Sequence, residues 1–443
     1  MTTAPSRPVA DRILELLQHL GIERVHVAGA MPGDWRGLAM TGAARVSSLT
    51  LLCPTGVDAT ALAALASRVL VFHGDQGLAA ERVRSAMARV PGATLETLTD
   101  YPGLPFADIA AERRQEIEPT LLDFLARMER QSPSTAHAPP AKTGEAAGLS
   151  YRIVGAGPPL VLLPLALAPS QWEPLLPGLS RYFCTITLRG PHLGYLPLLE
   201  SRGQAPGYVR VVRNVIEEVA LRPDEAILDV GCGSGVLDRW LAEHTHHTHA
   251  ITAVDINGYL LGEAAALVHR AGLQKVVTFQ EGNAEALPFP PDRFDVTLSL
   301  TVLEEGDADR MLSELVRVTK PGGRVAAIVR GDDYPALSTL SLRPQIQAKA
   351  GRAVGAGAVA RGCADASLYR RFQSAGLIHV RKFPHLAVYD DAQHVMAQFY
   401  QSRILSALTP DEAMEWQTAA AQAEAQGAFV LAVPHHCAIG TKP

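Results

Sequence analysis

The sequence lacks paired cysteines, a strong charge of either sign and any long uninterrupted apolar run. Its five cysteines are scattered through 443 residues without a Cys-x-x-Cys pair, which argues against a disulfide framework or a cysteine zinc site. A net charge of −5 argues against a nucleic-acid partner, which normally requires a basic surface. The longest apolar stretch, PPLVLLPLALAP, is broken by prolines and is too short for a membrane span. The N-terminus also lacks the apolar core of a signal peptide, so we expect a cytoplasmic protein.

The composition that remains is that of a folded α/β protein with more than one domain. Hydrophobic residues make up 47% and charged residues 19% of the chain, which supplies enough apolar material for real cores. A chain of this length usually forms two or three domains. Residues 130–148 are rich in proline, alanine, serine and threonine, without hydrophobic periodicity, and predict a linker. We predict one domain over residues 8–198, which contains this linker, and a second over residues 199–443.

The stretch EAILDVGCGSGVLDRWLAEH predicts a buried strand, a glycine-rich turn and a helix. Gly231, Gly233 and Gly235 allow a tight turn that approaches a ligand closely, and the following helix adds oriented N–H groups. A second strand, ITAVDIN, ends at Asp255, where an acid is placed to accept hydrogen bonds from ribose hydroxyls. A Gly-x-Gly-x-Gly turn alone is weak evidence, because dinucleotide enzymes use related turns.

Two further segments follow in order: VVTFQEGNAEALPFPPDRFDVTLSLTVLEE and LVRVTKPGGRVAAIV. Together the four motifs resemble the class I S-adenosylmethionine-dependent methyltransferases, in particular the branch that contains the ubiquinone/menaquinone methyltransferases. The resemblance is strong over residues 208–329 and weaker to the C-terminal CAIGTKP. It implies a Rossmann-like, seven-stranded methyltransferase domain, S-adenosylmethionine as cofactor and a small-molecule methyl acceptor.

The resemblance also implies roles for individual residues. Asp229 would lie near the amino-acid end of the cofactor, above a floor formed by the three glycines. Asp255 would hold the ribose hydroxyls, and Ile256 would lie against the adenine. Asn283 stands where the family commonly has aspartate, and its amide oxygen can still accept a hydrogen bond from the adenine amino group. The predicted cofactor-binding residues are Asp229, Gly231, Gly233, Gly235, Asp255, Ile256, Asn283, Ala284, Leu300 and Thr301, the last two beside the methionine portion.

No catalytic base is dictated by the sequence. Glu304 and Glu305 are candidates because many relatives place polar residues at this lip of the active site, although a solvated acidic turn is the commoner role of such a charge run. Tyr208 precedes the first helix of the domain and would be placed to close over the cofactor. Tyrosines and histidines near the C-terminus fall in the region that caps the substrate pocket in relatives, but packing is the commoner role of each. The histidine tract EHTHHTHA has no carboxylate or cysteine at ligand spacing, and we assign no metal to it.

The N-terminal half resembles an α/β-hydrolase, a doubly wound α/β fold, with its two parts in inverted order. The stretch RVHVAGAMPGDW, for example, matches the strand and turn that carry the hydrolase nucleophile, while residues 150–194 resemble the beginning of a hydrolase. A circular permutation, with the linker joining the former termini, explains this order. Met31 stands in place of the nucleophilic serine and Gly77 in place of the acid. No histidine occurs in TDYPGLPFAD, and Pro164–Leu165 replaces the oxyanion loop.

Loss of every triad member predicts a domain without acyl-transfer activity. Asp75 and His73 remain as polar groups, for which structural roles are expected. Such a domain would dock on the methyltransferase, mediate homo-oligomerisation or bind the tail of a hydrophobic substrate, and the sequence does not choose among these. Two alternatives to a methyltransferase with an inactive accessory domain stay open at this point: a non-catalytic cofactor-binding scaffold, and a bifunctional hydrolase–methyltransferase that hydrolyses esters through Asp75 or His73.

Overall fold

The computed structural model describes residues 8–101, 109–134, 142–166, 169–190, 192–355 and 357–443. The chain divides into two compact units, Met1–Pro197 and Leu198–Pro443. Each unit is built on a sheet of its own.

The first unit alternates strands with helices for most of its length. Its strands are β1 Val25–Gly29, β2 Val46–Leu52, β3 Val69–Gly74, β4 Thr94–Leu98, β5 Thr143–Ala146, β6 Leu149–Val154, β7 Pro159–Leu162 and β8 Cys184–Arg189. Its helices are α1 Val9–His19, α2 Pro32–Thr41, α3 Ala59–Leu62, α4 Gly77–Met87, α5 Ile109–Glu112, α6 Arg114–Gln131 and α7 Leu176–Leu179, with 3₁₀ helices at Ala63–Arg68 and Pro169–Trp172.

Among the described residues, the eight strands of this unit form one sheet in the order β4-β3-β2-β1-β7-β8-β6-β5. The six strands from β4 to β8 are parallel, and the hairpin of β5 and β6 joins antiparallel at the β8 side. Strands β1, β2, β3 and β7 are buried along their whole length, as expected for parallel strands covered on both faces. Two separate apolar cores cover the two faces. One contains Trp35 and Leu38 of α2, and the other contains Phe124 and Leu125 of α6.

The segment predicted as a linker, residues 130–148, contains regular structure at both ends. Helix α6 continues to Gln131, and strand β5 pairs with β6. Ala147 and Gly148 have φ values of +54° and +73°, and this left-handed pair makes the tight hairpin turn that joins the two strands. The alanine- and glycine-rich composition hid a strand of four residues, which is too short for a clear alternation. Residues 135–141, the centre of the predicted linker, lie outside the described residues.

The turn that resembles a nucleophile elbow is an ordinary strand-to-helix connection. Met31 has φ −77° and ψ 123° and precedes the first residue of α2, Pro32. Proline is well suited to this position because its missing N–H would have no partner in the first turn. The strained, sharply pointed serine position of a hydrolase is therefore absent from this connection. The loop that would carry the hydrolase histidine includes residues 102–108, which lie outside the described residues.

The two polar groups singled out in the N-terminal half, Asp75 and His73, have structural partners. Asp75 accepts hydrogen bonds from the backbone N–H groups of Asp100 and Tyr101 at 3.0 and 3.1 Å. These bonds lower the pKa of Asp75. His73 is buried and its Nε2 lies 3.0 Å from Thr97 Oγ1. Both residues thus hold the end of β3 to the end of β4.

Asp34 is a buried acid that the sequence analysis did not single out. It lies in the first turn of α2, and its Oδ2 accepts a hydrogen bond from the N–H of Gly194 at 2.9 Å. Burial raises the pKa of Asp34 to about 7, and the hydrogen bond from Gly194 acts in the opposite direction. Because the folded protein holds this proton more tightly than the unfolded chain, the contribution of Asp34 to the free energy of unfolding falls as the pH rises from about 4 to 7.

We expect the Asp34→Asn variant to lose this pH dependence. An amide keeps the acceptor for Gly194 but has no charge to bury, so its free energy of unfolding should gain roughly 3–4 kcal/mol relative to the wild type between pH 4 and pH 8. Denaturant unfolding at several pH values, followed by hydrogen exchange in peptides from β1 and β2, measures the difference. Asp123→Asn, an exposed position on α6, is the control. Parallel pH curves for wild type and Asp34→Asn would contradict the expectation.

The second unit begins near α8 and again alternates strands and helices. Its helices are α8 Leu196–Gln204, α9 Pro206–Val219, α10 Val236–His244, α11 Gly258–Arg270, α12 Ala308–Val318, α13 Pro344–Ala353, α14 Ser367–Ser374, α15 Val395–Ala407 and α16 Pro410–Ala425. Its strands are β9 Ile227–Val230, β10 Ile251–Asp255, β11 Val277–Glu281, β12 Phe294–Leu300, β13 Thr319–Arg330, β14 Leu337–Ser338, β15 Ile378–Tyr389 and β16 Leu431–Thr441.

Five parallel strands, in the order β11-β10-β9-β12-β13, form the main part of the second sheet. Strand β16 adds antiparallel to β13 and also pairs with β14 and along β15. The described residues thus contain eight strands in this sheet, whereas we predicted seven. The additional strand is β14, a two-residue pairing that leaves no periodic signal in the sequence. Both faces of the sheet are covered by apolar cores, so the unit has the predicted α/β architecture.

Within the part of the chain that the structure describes, neither unit contains a helix that is both long enough and apolar enough to span a membrane.

Candidate functional site

Three glycines form the turn between β9 and α10. Gly231, Gly233 and Gly235 have φ values of +80°, +58° and +68°, a region that side-chain-bearing residues rarely adopt. A Cβ atom on Gly231 would overlap the side chain of Val302, and one on Gly235 would lie 2.9 Å from Phe279. The turn therefore requires glycine for both its conformation and its close packing, and it leaves backbone N–H groups at the start of α10.

Asp255, the last residue of β10, ties this turn to the next helix. Its Oδ2 accepts a hydrogen bond from Gly233 N–H at 2.9 Å, and its Oδ1 accepts one from Asn257 N–H at 2.9 Å. Asn257 in turn caps α11 by accepting from Leu260 N–H. Burial raises the pKa of Asp255, and the backbone hydrogen bonds act in the opposite direction. Each carboxylate oxygen retains a second lone pair that can accept a hydrogen bond from a hydroxyl. That Asp255 binds the ribose hydroxyls stays a prediction.

Asp229 lies beside a second buried acid, Asp238, in the first turn of α10. Burial raises the pKa of both groups, and the neighbouring carboxylates, Asp255 for Asp229 and Asp229 for Asp238, raise it further. The two carboxyl groups lie close enough to share a proton, which acts to lower the pKa of Asp229 and to raise that of Asp238. The sequence analysis missed Asp238, although an acid in the first turn of the helix behind a glycine turn was visible in the sequence.

The residues predicted to contact adenine lie after β10 and β11. Ile256 is 64% exposed, which is unusual for a large apolar side chain beside a buried acid and suits a surface that receives a flat ring. Asn283 uses its Oδ1 to accept from Glu285 N–H at 2.8 Å, so the amide oxygen that we predicted for adenine already supports its own turn. Ala284 packs at the edge of one apolar core. The contacts of all three with adenine stay predictions.

Leu300 and Thr301 follow at the end of β12, next to the glycine turn. Leu300 is buried. Thr301 has φ +64°, an outlier for a β-branched residue, and its N–H donates to Ile328 O at 2.7 Å. Such strain persists only where the surroundings enforce it, and it occurs preferentially at functional sites. Because Val302 contacts Gly231, this strained connection lies directly against the turn.

The two candidate bases differ sharply in environment. Glu304 is fully buried, and its Oε1 accepts from Arg330 N–H at 2.8 Å. Burial raises the pKa of Glu304 to about 6, with Arg330 acting against the shift. Glu305 is partly exposed and pairs with Arg330 Nη2 at 3.0 Å. The prediction that Glu304 belongs to a solvated acidic turn, the commoner role of such a charge run, is therefore wrong.

Helix α8 covers the glycine turn, a feature that the sequence analysis did not predict. A Cβ atom on Gly233 would lie 3.3 Å from Leu199, and Gly203 packs against Val236 at the start of α10. Glu200 pairs with Arg239 of α10 at 2.5 Å, and both side chains are largely buried. These contacts hold α8 over the turn and shield it from water.

Comparison with known proteins identifies the segment that carries this geometry. A family model described as "Methyltransferase domain" matches residues 227–323, from β9 into β13. Residues 227–323 are thus similar to a methyltransferase domain. S-adenosylmethionine is the cofactor of the class I methyltransferases that this segment resembles.

Curated relatives also match part of the chain. The demethylmenaquinone methyltransferase of Symbiobacterium thermophilum is 36% identical over 113 residues, 25% of this chain and 45% of that protein. A ubiquinone/menaquinone biosynthesis C-methyltransferase, UbiE, of Vibrio parahaemolyticus is 35% identical over 130 residues, 29% of this chain and 49% of that protein. The chain thus spans about half the length of the curated relatives that it matches.

Two solved structures also align with the methyltransferase half. The YcgJ protein from Bacillus subtilis gives a TM-score of 0.37 at 19% identity, covering 53% of this chain and 98% of that protein. A SAM-dependent methyltransferase from Aquifex aeolicus gives 0.32 at 16% identity, covering 54% and 97%.

The residues present fit this cofactor. The glycine turn lies so close to Val302 that Gly231 cannot carry a Cβ, and Asp229 and Asp238 form a buried pair of carboxyl groups at the same turn. Ile256 offers an exposed apolar surface immediately after Asp255. A polar, partly cationic ligand with a flat base is the kind of group that suits carboxylates, free N–H groups and an apolar face together.

Proposed function

We propose that the protein transfers a methyl group from S-adenosylmethionine to a small, hydrophobic or secondary-metabolite acceptor. The observation that carries the proposal is the intact glycine turn, held in a left-handed conformation and bonded to Asp255. Relatives that match the domain are named as quinone-biosynthesis methyltransferases, which supports a small and largely apolar acceptor.

When bound, S-adenosylmethionine supplies an electrophilic methyl group on a sulfonium. The chain's own residues then have to hold and orient the reactants. The N–H groups of the three glycines donate within the chain and fix the shape of the turn. The N-terminus of α10 offers N–H groups to the ligand, and Asp255 is placed for its hydroxyls. Helix α8 excludes water through Leu199 and through the Glu200–Arg239 pair. Positioning of this kind can supply about 7–11 kcal/mol of a barrier.

For the first unit, we propose an inactive, circularly permuted hydrolase-like domain. The two segments on either side of residues 135–141 contribute to one sheet, and β1 pairs directly with β7, which is what a permutation requires. The unstrained backbone at Met31 and the structural partners of Asp75 and His73 support loss of hydrolysis. They speak against the bifunctional alternative, because Asp75 is engaged by two backbone N–H groups that follow β4 and is bonded to neither His73 nor Thr97.

The proposed methyl transfer is tested first by binding. We expect S-adenosylhomocysteine to bind the intact protein with micromolar affinity in a calorimetric titration. Asp255→Ala should weaken binding tenfold or more, about 1.4 kcal/mol, because it removes both ties that shape the turn and the acceptor for ribose hydroxyls. Asp411→Ala, at an exposed position in the first turn of α16, should leave the affinity unchanged. No binding to the folded wild-type protein would refute the proposal and favour a protein whose two units have both lost their enzymatic roles.

A further inference from the structure

A cluster of buried polar side chains lies at the end of β12, beyond the residues assigned to the cofactor. It combines Tyr208 of α9, Glu304 of the loop after β12, Tyr389 at the end of β15 and His435 of β16. Their exposed fractions are 0%, 0%, 3% and 2%. We call these four residues the polar cluster. Glu304 lies two residues after Val302, which contacts the glycine turn, so the polar cluster adjoins the cofactor-binding residues.

Glu304 Oε2 is a fully buried carboxylate oxygen that lacks a hydrogen-bond partner among the described residues. A buried polar atom without a partner costs about 1–3 kcal/mol, so this oxygen indicates a partner from outside the chain. The two tyrosine hydroxyls have neighbours of their own, Thr301 for Tyr208 and Tyr400 for Tyr389. Tyr208 lies near Glu304, because after burial and Arg202 the charge of Glu304 also influences the pKa of Tyr208.

Glu304 is oriented so that one oxygen is held and the other is available. Its Oε1 accepts from Arg330 N–H at 2.8 Å and lies 3.4 Å from Arg330 Nε. The far end of the same guanidinium pairs with Glu305. The carboxylate is thus fixed through Oε1, which leaves Oε2 as a buried hydrogen-bond acceptor.

The aromatic members of the polar cluster, Tyr208, Tyr389 and His435, add hydroxyl donors and a neutral imidazole ring to the site. Burial raises the pKa of Tyr208 and of Tyr389, so both hydroxyls remain protonated and can donate. The His435 ring lies 5.7 Å from the Tyr208 ring, and its Nδ1 is 3.1 Å from Val433 O. A carbonyl only accepts, so Nδ1 carries the proton. Burial lowers the pKa of His435 to about 3, which keeps the ring neutral with Nε2 as an acceptor.

We propose that the polar cluster binds the methyl acceptor through a phenolic or enolic hydroxyl, which donates to Glu304 Oε2, and that Glu304 is the catalytic base. The inference rests on the proposed methyl transfer. As the acceptor oxygen forms its bond to the methyl carbon, its proton passes to Glu304 Oε2. The carbon–sulfur bond breaks with its electron pair on sulfur, and S-adenosylhomocysteine leaves.

The energetics of proton transfer select this class of hydroxyl. A base with a pKa of about 6 lies about four pK units below a phenol, whose pKa is about 10. Water lies near 15.7, and an aliphatic alcohol resembles water, so its proton is beyond the reach of such a base. Aromatic neighbours at offset or tilted angles, such as the Tyr389–Tyr400 pair at 5.6 Å, also favour a planar acceptor.

A binding experiment tests the inference without measuring turnover. The protein is saturated with S-adenosylhomocysteine and titrated calorimetrically with 4-methylphenol and, separately, with 4-methylanisole, which lacks the hydroxyl. We expect the wild type to bind 4-methylphenol at least tenfold more tightly than 4-methylanisole. Glu304→Gln should abolish this preference, because it replaces the acceptor at Oε2 by an amide donor. Glu415→Gln, which alters a surface ion pair with Arg343, is the matched control and should retain the preference.

A second variant covers the case in which Glu304→Gln does not fold. Tyr208→Phe removes only the buried hydroxyl of Tyr208 and should weaken 4-methylphenol binding several-fold while S-adenosylhomocysteine affinity is retained. Equal binding of the two probes by the wild type, or an unchanged preference in both variants, would overturn the inference alone. If S-adenosylhomocysteine fails to bind the wild type, the methyl-transfer proposal fails, and the phenol titration without it still decides whether the polar cluster is a hydroxyl site.

Discussion

Gly231→Ala is expected to lower the affinity for S-adenosylhomocysteine at least a hundredfold, about 2.7 kcal/mol. Gly231 has φ +80°, and an added Cβ would overlap the branched side chain of Val302. The turn must then change its backbone conformation, which displaces the N–H groups that face the ligand. Calorimetric titration of both proteins measures the loss.

Gly262→Ala is the matched control for this prediction. Gly262 lies within α11, and a Cβ there would meet no atom within 4 Å, so alanine should stabilise the helix by about 0.5–1 kcal/mol and leave affinity intact. The double variant Gly231→Ala/Val302→Ala removes the overlap but keeps the strained φ, and it should recover part of the binding. Wild-type affinity in Gly231→Ala would contradict the role that we assign to the turn.

Arg324→Met is expected to destabilise the second unit by about 3–5 kcal/mol, the usual cost of leaving one partner of a buried ion pair alone. Arg324 donates from Nη1 and Nη2 to the two carboxylate oxygens of Glu225 at 2.6 and 2.5 Å. It also donates to the carbonyls of Val219 and Ala220 at the C-terminus of α9. Denaturant unfolding, followed by hydrogen exchange in peptides from β9 and β13, measures the loss.

The double variant Glu225→Gln/Arg324→Met separates the buried charge from the lost capping bonds. With no carboxylate to bury, the double variant should be clearly more stable than Arg324→Met alone. Equal stability of the two would show that the charge is not the cause. S-adenosylhomocysteine affinity should survive in both, since Arg324 lies level with Val296 and Ile227 at the amino ends of their strands, away from the glycine turn.

These two positions show what could be predicted from the sequence and what could not. Gly231 belongs to a local pattern in which strand, turn and helix are contiguous, so its place in the site followed from the order of residues. Glu225 and Arg324 are 99 residues apart, and nothing in either local sequence indicates that they meet. The polar cluster escaped prediction for the same reason: its members come from four elements, and each of them alone resembles an ordinary packed residue.

In the first unit, the predictions from sequence failed where local composition and tertiary structure disagree. An alanine- and glycine-rich segment predicted a linker, yet cross-strand pairing makes part of it strand β5. The glycines around Met31 suggested a strained elbow, but the backbone there is relaxed. The buried acid Asp34 was overlooked because its partner, Gly194, is 160 residues away. A sequence pattern reports what neighbours along the chain favour, whereas burial is decided by residues that are distant in sequence.

The position of β16 has a consequence for synthesis on the ribosome. This strand pairs with β13 on one side and runs along β15, so the second sheet closes only after residue 441 has been translated. Residues 331–441 take roughly 6–22 s to translate at about 5–20 residues per second. During that interval, the β13 backbone that later pairs with β16 is an open edge, and an open strand edge can pair with other chains. The β1 edge of the first unit likewise waits for β7, which ends at Leu162, so both nascent units should depend on chaperone protection until these distant strands have been made.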